Sequence, residues 1–221
     1  MSAVNALTRA RLYAILDLSY VAANRAEAVT GDLIRGGADL VQLRGKKESI
    51  AELTRLAEKL HRLTNSAGVP LIINDHPEIA RDIAVEGLHL GQDDLAIAAA
   101  RKIVRRACWM GKSTHSVAQA TKAAGEGADY IGFGPLFATP TKPDYPPIGT
   151  GDIRRAHELV QLPIFCIGGI KLDNLSAVIA AGAKRVVIVS GLLQREDIAA
   201  AARAAKKLLF PNQQSTTSNQ Q

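Results

Sequence analysis

Short apolar segments alternate along this chain with longer segments of helical period. The apolar segments are rich in valine, isoleucine and leucine, and several, such as residues 186–189, are apolar on both faces. Strands of that kind are typical of a parallel sheet that helices cover on both sides. We predict eight such strands: Leu12–Asp17, Leu40–Arg44, Leu71–Asp75, Leu88–Gly91, Trp109–Thr114, Tyr130–Gly134, Ile164–Gly168 and Arg185–Ser190.

The segments between the predicted strands have the period of amphipathic helices. In the clearest of them one face is charged and the other carries Leu53, Leu56, Leu60 and Leu63. A Gly-Ala-Asp or Gly-Ala-Lys tripeptide, beginning at Gly37, Gly127 and Gly182, lies between a predicted helix and the next strand. Because glycine readily adopts the left-handed conformation that ends a helix, each tripeptide marks that boundary.

This alternation predicts an α/β fold, a single-domain (β/α)8 TIM barrel. Residues 1–210 form the catalytic barrel in this interpretation, and the polar residues 211–221, which have nothing apolar to bury, form a disordered tail. The chain of 221 residues is shorter than the ~250 that are usual for a barrel. A doubly wound open sheet is therefore the alternative.

Composition and charge narrow the class of protein. The net charge is +6, but the basic residues are scattered and are not interleaved with aromatic residues, so a nucleic-acid-binding surface is not indicated. The positive charge instead favours an anionic small molecule as the substrate. No apolar run approaches the ~18 residues of a membrane span. Cys108 and Cys166 have no metal-ligand or redox spacing, so we expect buried, reduced thiols in a cytoplasmic protein. The sequence leaves open whether a homo-oligomer forms.

Polar or glycine-rich clusters follow most of the predicted strands. In a parallel barrel the carboxyl ends of all strands meet at one mouth, so we expect these clusters to converge. Two carboxylates stand out, Asp75 after the third strand and Asp94 after the fourth. Hard oxygen ligands at neighbouring strand tips, completed by phosphate oxygens and waters, indicate an Mg²⁺ site. The alternative is that both aspartates cap the helices that follow them.

Cationic side chains lie in two of the same loops. Arg44 and Lys46 follow the second strand, and Lys142 lies with Thr139 and Thr141 in a proline-rich loop after the sixth. Guanidinium and ammonium groups beside hydroxyls suit a diphosphate. Arg44 ends an apolar strand, so its charge must reach either solvent or an anion. For Lys142 the alternative is a solvated loop lysine.

The last two predicted strands end in Gly168-Gly169 and Ser190-Gly191. Small residues in the seventh and eighth loops let backbone N–H groups approach a phosphate. The sequence therefore predicts a phosphate site there, with tight turns as the alternative.

Other chemistries are not indicated. Arg106 and Phe137 stand where a P-loop and a dinucleotide fingerprint need a glycine, and no histidine spacing indicates zinc. His89 alternates with leucines and is expected to fill a layer inside the barrel. No base is visible near Ser113 or Ser190, so we interpret both as hydrogen-bond donors rather than nucleophiles.

Taken in order, these clusters resemble the motifs of the thiamine-phosphate synthase family. Between Leu12 and Gly191 they are Q-L-R-x-K, N-D, G-x-H-x-G-Q-x-D, G-x-S, G-P-x-x-x-T-x-T-K, I-G-G-I and S-G. The resemblance implies a (β/α)8 barrel that joins a hydroxymethylpyrimidine diphosphate to a thiazole phosphate and releases pyrophosphate. It further implies a dissociative reaction, in which pyrophosphate leaves before the thiazole nitrogen attacks.

The resemblance also implies roles for individual residues. Asp75 and Asp94 become the Mg²⁺ ligands, while Arg44, Lys46 and Lys142 neutralise the leaving group and Ser113 lies near the pyrimidine amine and that group. The residues implied to contact the pyrimidine diphosphate are Gln42, Arg44, Lys46, Asn74 and Lys142. The residues implied to contact the thiazole phosphate are Thr139, Thr141, Gly169, Val189 and Ser190.

The sequence departs from the family pattern at the end of its first strand and just after its second, and two other functions are alternatives. The first strand ends in Leu16-Asp17 where the family commonly has Thr-Asp, and Gly45 replaces a larger residue. Prolines in the loop after the sixth strand are expected to stiffen it and to slow turnover. The rivals are a thiazole tautomerase on the same barrel, which needs no diphosphate clamp, and a non-catalytic barrel that binds a thiamine precursor.

Overall fold

The computed structural model describes residues 3–139 and 145–210, with side chains from Ala6 onward, and contains one closed barrel of eight parallel strands in chain order. The strands are β1 (Leu12–Asp17), β2 (Leu40–Arg44), β3 (Leu71–Asn74), β4 (Gly87–Leu90), β5 (Trp109–Thr114), β6 (Tyr130–Phe133), β7 (Ile164–Cys166) and β8 (Val186–Ile188). Because β1 pairs with β8, the sheet has no free edge, and the open-sheet alternative is wrong. The predicted polar tail lies outside the described residues.

Helices follow the strands and surround the barrel. They are α1 (Ala3–Arg9), α2 (Ala26–Arg35), α3 (Ile50–Ser66), α4 (Pro77–Ile83), α5 (Ile97–Val104), α6 (Val117–Gly125), α7 (Ile153–Leu159), α8 (Leu172–Ala180), α9 (Ser190–Leu193) and α10 (Ile198–Leu209), with a 3₁₀ turn at Ala23–Arg25. In the described part of the chain, none of them combines the length and the apolar character needed to cross a membrane.

The predicted strands are all present, but several end earlier than expected. Residues predicted as strand ends leave the extended conformation because they form the turns at the mouth: Asp75 has φ 65° and Gly168 has φ 98°. The tripeptide glycines Gly37, Gly127 and Gly182 all have positive φ, as the helix-ending interpretation requires.

The longest helix, α3, follows its predicted pattern. Leu53, Leu56 and Leu60 are buried against the barrel, whereas Leu63 is only partly buried. Ser49 and Glu52 form a reciprocal capping box at its first turn. An apolar face and a strong cap together fix where this helix begins and how it packs.

Apolar side chains form two separate clusters. The larger lies between the strands and the helices and includes both free cysteines. Burial raises the pKa of the Cys108 thiol to about 11 and that of Cys166 to about 12, so both stay protonated, as expected for inert core thiols. The smaller cluster fills the barrel, where Tyr13, Tyr130 and Phe165 pack edge to face.

Carboxylates hold the opposite end of the barrel from the mouth. An acidic residue just before an even-numbered strand accepts backbone N–H groups at the start of the preceding odd-numbered strand. The bonds run to Asp39 from Arg11 and Leu12 (2.8 and 2.9 Å), to Glu86 from Leu71 (2.8 Å) and to Asp129 from Met110 (2.7 Å). Asp39 and Asp129 are the third residues of the Gly-Ala-Asp tripeptides, and the third residue of the tripeptide before β8 is Lys184. β7 and β8 share one registered pair, Cys166 with Val186.

A partly buried histidine on α7 gives the fold a pH dependence. Within the described residues, His157 Nε2 is buried without a hydrogen-bond partner. Burial, reinforced by Lys184 and Arg185, lowers its pKa to about 4. Between pH 6.5 and 4 the unfolded chain takes up a proton at this histidine that the folded chain does not, so stability falls as the pH falls.

We expect His157 to cost the fold about 1–2 kcal/mol between pH 7 and pH 4, after allowing for solvent screening of a partly exposed group. Urea unfolding at both pH values measures the loss for the parent chain and for His157→Gln. The variant should lose less stability than the parent. Equal losses in the two proteins would contradict the assignment.

Candidate active site

A cavity opens at the carboxyl ends of the strands and gathers most of the predicted site residues. Its lining includes eight of them: Gln42, Arg44, Asn74, Ser113, Thr139, Gly169, Val189 and Ser190. Lys46, Asp75 and Asp94 lie together at the neighbouring tips of β2, β3 and β4. Thr141 and Lys142 lie outside the described residues, so their roles stay predictions.

The two aspartates form a coupled acidic pair. The carboxyl group of Asp75 lies within interaction distance of that of Asp94 and also contacts Lys46. Burial, together with the neighbouring Asp94, raises the pKa of Asp75. Burial also opposes ionisation of Asp94, but the hydrogen bonds from Asp75 and from the Gly91 N–H lower its pKa overall. Without a cation, a proton therefore binds more readily to Asp75 than to Asp94.

Neither aspartate serves the capping role that was the alternative. The N-cap residues of α4 and α5 are His76 and Ala96, and neither side chain makes a capping bond. Asp94 instead accepts the N–H of Gly91 at 2.6 Å, within its own loop. The oxygens of the pair are thus not committed to helix N–H groups.

The donor set at this position fits Mg²⁺. Two carboxylates supply hard oxygen ligands, and their mutual repulsion is relieved by a divalent cation. Among residues 3–139 and 145–210, no cluster of three or more histidine, cysteine or acidic side chains has the geometry of a metal site. A magnesium ion here would take its remaining ligands from substrate oxygens and water, as is usual for this ion.

Arg44 reaches an anion, and in the structure that anion is Asp17. Its Nη1 donates to Asp17 Oδ2 at 2.6 Å, and Asp17 is 1% exposed. The other carboxylate oxygen accepts from the Ser19 N–H and hydroxyl at 2.9 and 2.7 Å. Asp17 therefore orients Arg44 in the cavity, although sequence reasoning treated it only as part of an atypical strand end. The signal was the strand register, which pairs Asp17 with Arg44.

A buried chain of hydrogen bonds runs beneath the cavity and connects two of its lining residues. Gln42 Nε2 donates to Tyr13 Oη at 2.5 Å, and Tyr13 Oη lies 3.2 Å from Tyr130 Oη. Tyr130 Oη lies 3.1 Å from His89 Nδ1, and His89 Nε2 lies 2.9 Å from Ser113 Oγ. His89 fills an interior layer as predicted. The expectation that no base lies near Ser113 is wrong, because β4 and β5 bring His89 beside it.

The loops after β7 and β8 leave backbone donors open to the cavity. Gly168 and Gly169 have φ of 98° and 65°, and a Cβ on Gly168 would lie 2.4 Å from Pro135 Cα. Among the described residues, the N–H groups of these glycines have no hydrogen-bond acceptor. Ser190 lines the same side of the cavity. These features suit a phosphate group.

A buried lysine was also missed by sequence reasoning. Lys112 is 7% exposed and donates to the Gly91 carbonyl at 2.6 Å, at the start of the loop that carries Asp94. Its charge also contributes to the lowered pKa of Asp94. In the sequence, Gly111-Lys112-Ser113 resembles the end of a P-loop whose first glycine is replaced by Arg106. That pattern gives no indication that Lys112 supports the acidic loop.

A closed parallel barrel with helices around it is a (β/α)8 barrel, and the acidic pair, the cations and the glycine-rich loops at its mouth form a site that suits anions. The family model described as thiamine monophosphate synthase matches residues 12–192. The chain belongs to this family, as its sequence motifs indicated.

Individual relatives agree with the family match. A thiamine-phosphate synthase of Halalkalibacterium halodurans is 41% identical over 184 residues, which cover 83% of this chain and 87% of the relative. One of Chloroflexus aurantiacus is 40% identical over 83% of this chain and 85% of its own length. Among solved structures, a thiamine phosphate pyrophosphorylase of Pyrococcus furiosus has a TM-score of 0.84 and 28% identity, covering 94% of this chain and 98% of that one.

Proposed function

We propose that this chain is a thiamine-phosphate synthase that joins 4-amino-2-methyl-5-hydroxymethylpyrimidine diphosphate to a thiazole phosphate and releases pyrophosphate. The observation that carries the proposal is the meeting, at one mouth, of two sites that suit anions. The Asp75–Asp94 pair with Lys46 and Arg44 suits a metal-bound diphosphate, and the Gly168–Gly169 loop with Ser190 suits a monophosphate.

The main demand of the reaction is to stabilise the negative charge that develops on the leaving pyrophosphate. Asp75 and Asp94 would hold Mg²⁺, which when bound would neutralise part of the charge on the departing group. Arg44, held by Asp17, presents a fixed guanidinium to the diphosphate, and Lys46 adds a mobile ammonium. Lys142 joins them by resemblance alone. Fixed charge aimed at the leaving group stabilises the transition state without costly reorganisation.

A dissociative reaction suits the remaining groups of the cavity. Once pyrophosphate has left, the pyrimidinylmethyl cation is captured by the thiazole nitrogen, and this step requires alignment rather than proton removal. Apolar residues Ile15, Ile167 and Val187 line the cavity beside the polar groups and limit access of competing water. Asn74 and Thr139, which also line it, are proposed to bind the two phosphate-bearing substrates.

The thiazole phosphate is proposed to bind across the loops after β7 and β8. Ser190→Ala should weaken its binding about tenfold, because one hydroxyl donor to a charged oxygen is lost. Titration calorimetry with the thiazole phosphate measures the change. Ser66→Ala, at the exposed end of α3, is the matched control and should bind like the parent. Unchanged affinity in the Ser190 variant would leave this phosphate site unsupported.

One assay tests the proposed function against its rivals. The purified chain is given both substrates, with and without Mg²⁺, and thiamine phosphate and pyrophosphate are quantified. A synthase forms both products only with the metal. A tautomerase changes the thiazole substrate alone, and a binding protein forms neither product. Absence of thiamine phosphate under all conditions would end the proposal.

We also propose a cytoplasmic location. The support is chemical: both cysteines are buried, unpaired thiols, which suits a reducing compartment.

A further inference from the structure

The buried chain from Gln42 to Ser113 joins two cavity residues through groups that the proposed reaction does not use. Tyr13 and Tyr130 are 1% and 0% exposed and do not line the cavity, whereas Gln42 and Ser113 do. The rings of both tyrosines pack on each other and on Phe165. The two tyrosines of this hydrogen-bond chain therefore lie in the packed barrel interior, while His89 and the two end residues line the cavity.

The hydrogen bonds of this chain have a direction. Gln42 Nε2 donates to Tyr13 Oη, so the proton of Tyr13 is left to donate to Tyr130. Because the Tyr130 oxygen accepts from Tyr13, the Tyr130 proton is left to donate to His89 Nδ1, which lies 3.1 Å away. A neutral imidazole that accepts at one nitrogen carries its proton on the other, so His89 Nε2 donates to Ser113 Oγ. Burial raises the pKa of both tyrosines well above the usual range, so neither gives up its proton to break the sequence.

The direction of the hydrogen bonds decides which end residue faces the cavity as a donor and which as an acceptor. At one end Gln42 Oε1 is left as an acceptor, because its amide nitrogen is committed to Tyr13. At the other end the Ser113 hydroxyl proton is left to donate, because its oxygen already accepts from His89. An aminopyrimidine presents the complement of this pair, an amino group that donates and an adjacent ring nitrogen that accepts. An oxopyrimidine presents the reverse.

We propose that Tyr13, Tyr130 and His89 are positioning residues whose hydrogen-bond chain fixes Gln42 as acceptor and Ser113 as donor, so that the site selects an amino- over an oxopyrimidine. The proposal rests on the proposed function for its substrate. Without the chain, the Gln42 amide could rotate and Ser113 could donate to His89, and either end could then pair with either pyrimidine. With the chain, reversing one end leaves a buried tyrosine hydroxyl without an acceptor, which is costly.

The same direction explains why Ser113 is not an activated nucleophile although a histidine lies beside it. A general base must accept the serine proton, but His89 Nε2 already carries a proton in this arrangement. Its other nitrogen faces the Tyr130 hydroxyl, where a hydrolytic triad would have a carboxylate. The pair is thus set up to orient Ser113 and not to deprotonate it.

The test compares kcat/KM for the 4-aminopyrimidine diphosphate with kcat/KM for its 4-oxo analogue, at a fixed thiazole phosphate concentration. We expect the parent to favour the amino substrate by about 100-fold or more, since the wrong pairing leaves polar groups unsatisfied. Tyr130→Phe and Tyr13→Phe remove only a hydroxyl, and each should lower this ratio about tenfold. Phe165→Leu, which repacks the same interior without removing a polar atom, should keep the parent ratio.

The ratio separates a positioning role from a structural one, because general loosening of the barrel lowers activity on both substrates together. A parent ratio near one, or a parent ratio retained in both tyrosine variants, would overturn the proposal. If the parent makes no thiamine phosphate from the amino substrate, the proposed function itself fails, which is a different outcome.

A spectroscopic measurement tests the direction of the hydrogen bonds without any substrate or activity assay. Nitrogen-15 NMR of the histidine-labelled chain reports which ring nitrogen carries the proton, and His89→Gln identifies the His89 signals by their loss. The proposal requires a proton on Nε2 and none on Nδ1. The opposite tautomer at neutral pH would overturn it.

Discussion

Replacement of Asp94 or Asp75 by alanine should lower kcat at least about 100-fold, the scale on which removal of one charge-stabilising group slows a reaction. The two carboxyl groups lie next to each other beside Lys46, and burial together with Asp94 raises the pKa of Asp75. Such a pair is poised for a divalent cation and has no capping role. Steady-state assays over a range of Mg²⁺ concentrations measure the effect.

The fold should survive both substitutions. Both side chains are only partly buried and neither caps a helix, so each variant should still unfold in one cooperative thermal transition. Asp82→Ala is the matched control, because this exposed aspartate on α4 lies away from the cavity and pairs with the neighbouring Arg81 at 2.6 Å. Parent-like turnover in both the Asp75 and the Asp94 variants would refute the metal assignment.

Arg44→Leu should damage both stability and activity. The substitution leaves the carboxylate of Asp17 buried without its cation, which should cost about 3 kcal/mol of unfolding free energy. It also removes a fixed guanidinium from the proposed diphosphate site, which should lower kcat/KM for the pyrimidine diphosphate about 100-fold or more. Urea unfolding and steady-state kinetics measure the two effects.

A double variant separates these effects. In Arg44→Leu with Asp17→Asn, no unpaired charge is left buried. Most of the stability that the single variant Arg44→Leu loses should therefore return, while activity should stay as low as in that variant. Arg35→Leu, which breaks an exposed pair with Asp32, should change stability by less than about 1 kcal/mol. Recovery of activity in the double variant would mean that Arg44 acts only through the fold.

The strands and the convergence of the site were predictable because both depend on local sequence. Apolar runs mark the strands, and glycines with positive φ mark the helix ends, so the order of elements fixes which loops share the mouth. Strand ends were less predictable. Asp75 and Gly168 follow apolar residues but turn into the loops, and this depends on contacts across the mouth.

The parts that sequence reasoning missed depend on register and on shear between strands. Asp17 is recognisable as the partner of Arg44 only when β1 and β2 are aligned. The hydrogen bonds from Tyr13 through Tyr130 to His89 cross the barrel interior between β1, β6 and β4. No residue spacing in the sequence predicts them. Lys112 likewise serves a loop of the neighbouring strand.

The closure of the barrel between β7 and β8 gives substrate binding a second consequence. Carboxylates anchor β1, β3 and β5 to the strands that follow them, but Lys184 stands at that place before β8, and one registered pair joins β7 to β8. Gly169 and Ser190, the proposed phosphate contacts, flank this same seam. An anion bound by both loops would link β7 to β8 and stabilise their pairing against local opening. Amide protons of β8 should therefore exchange more slowly in the liganded protein.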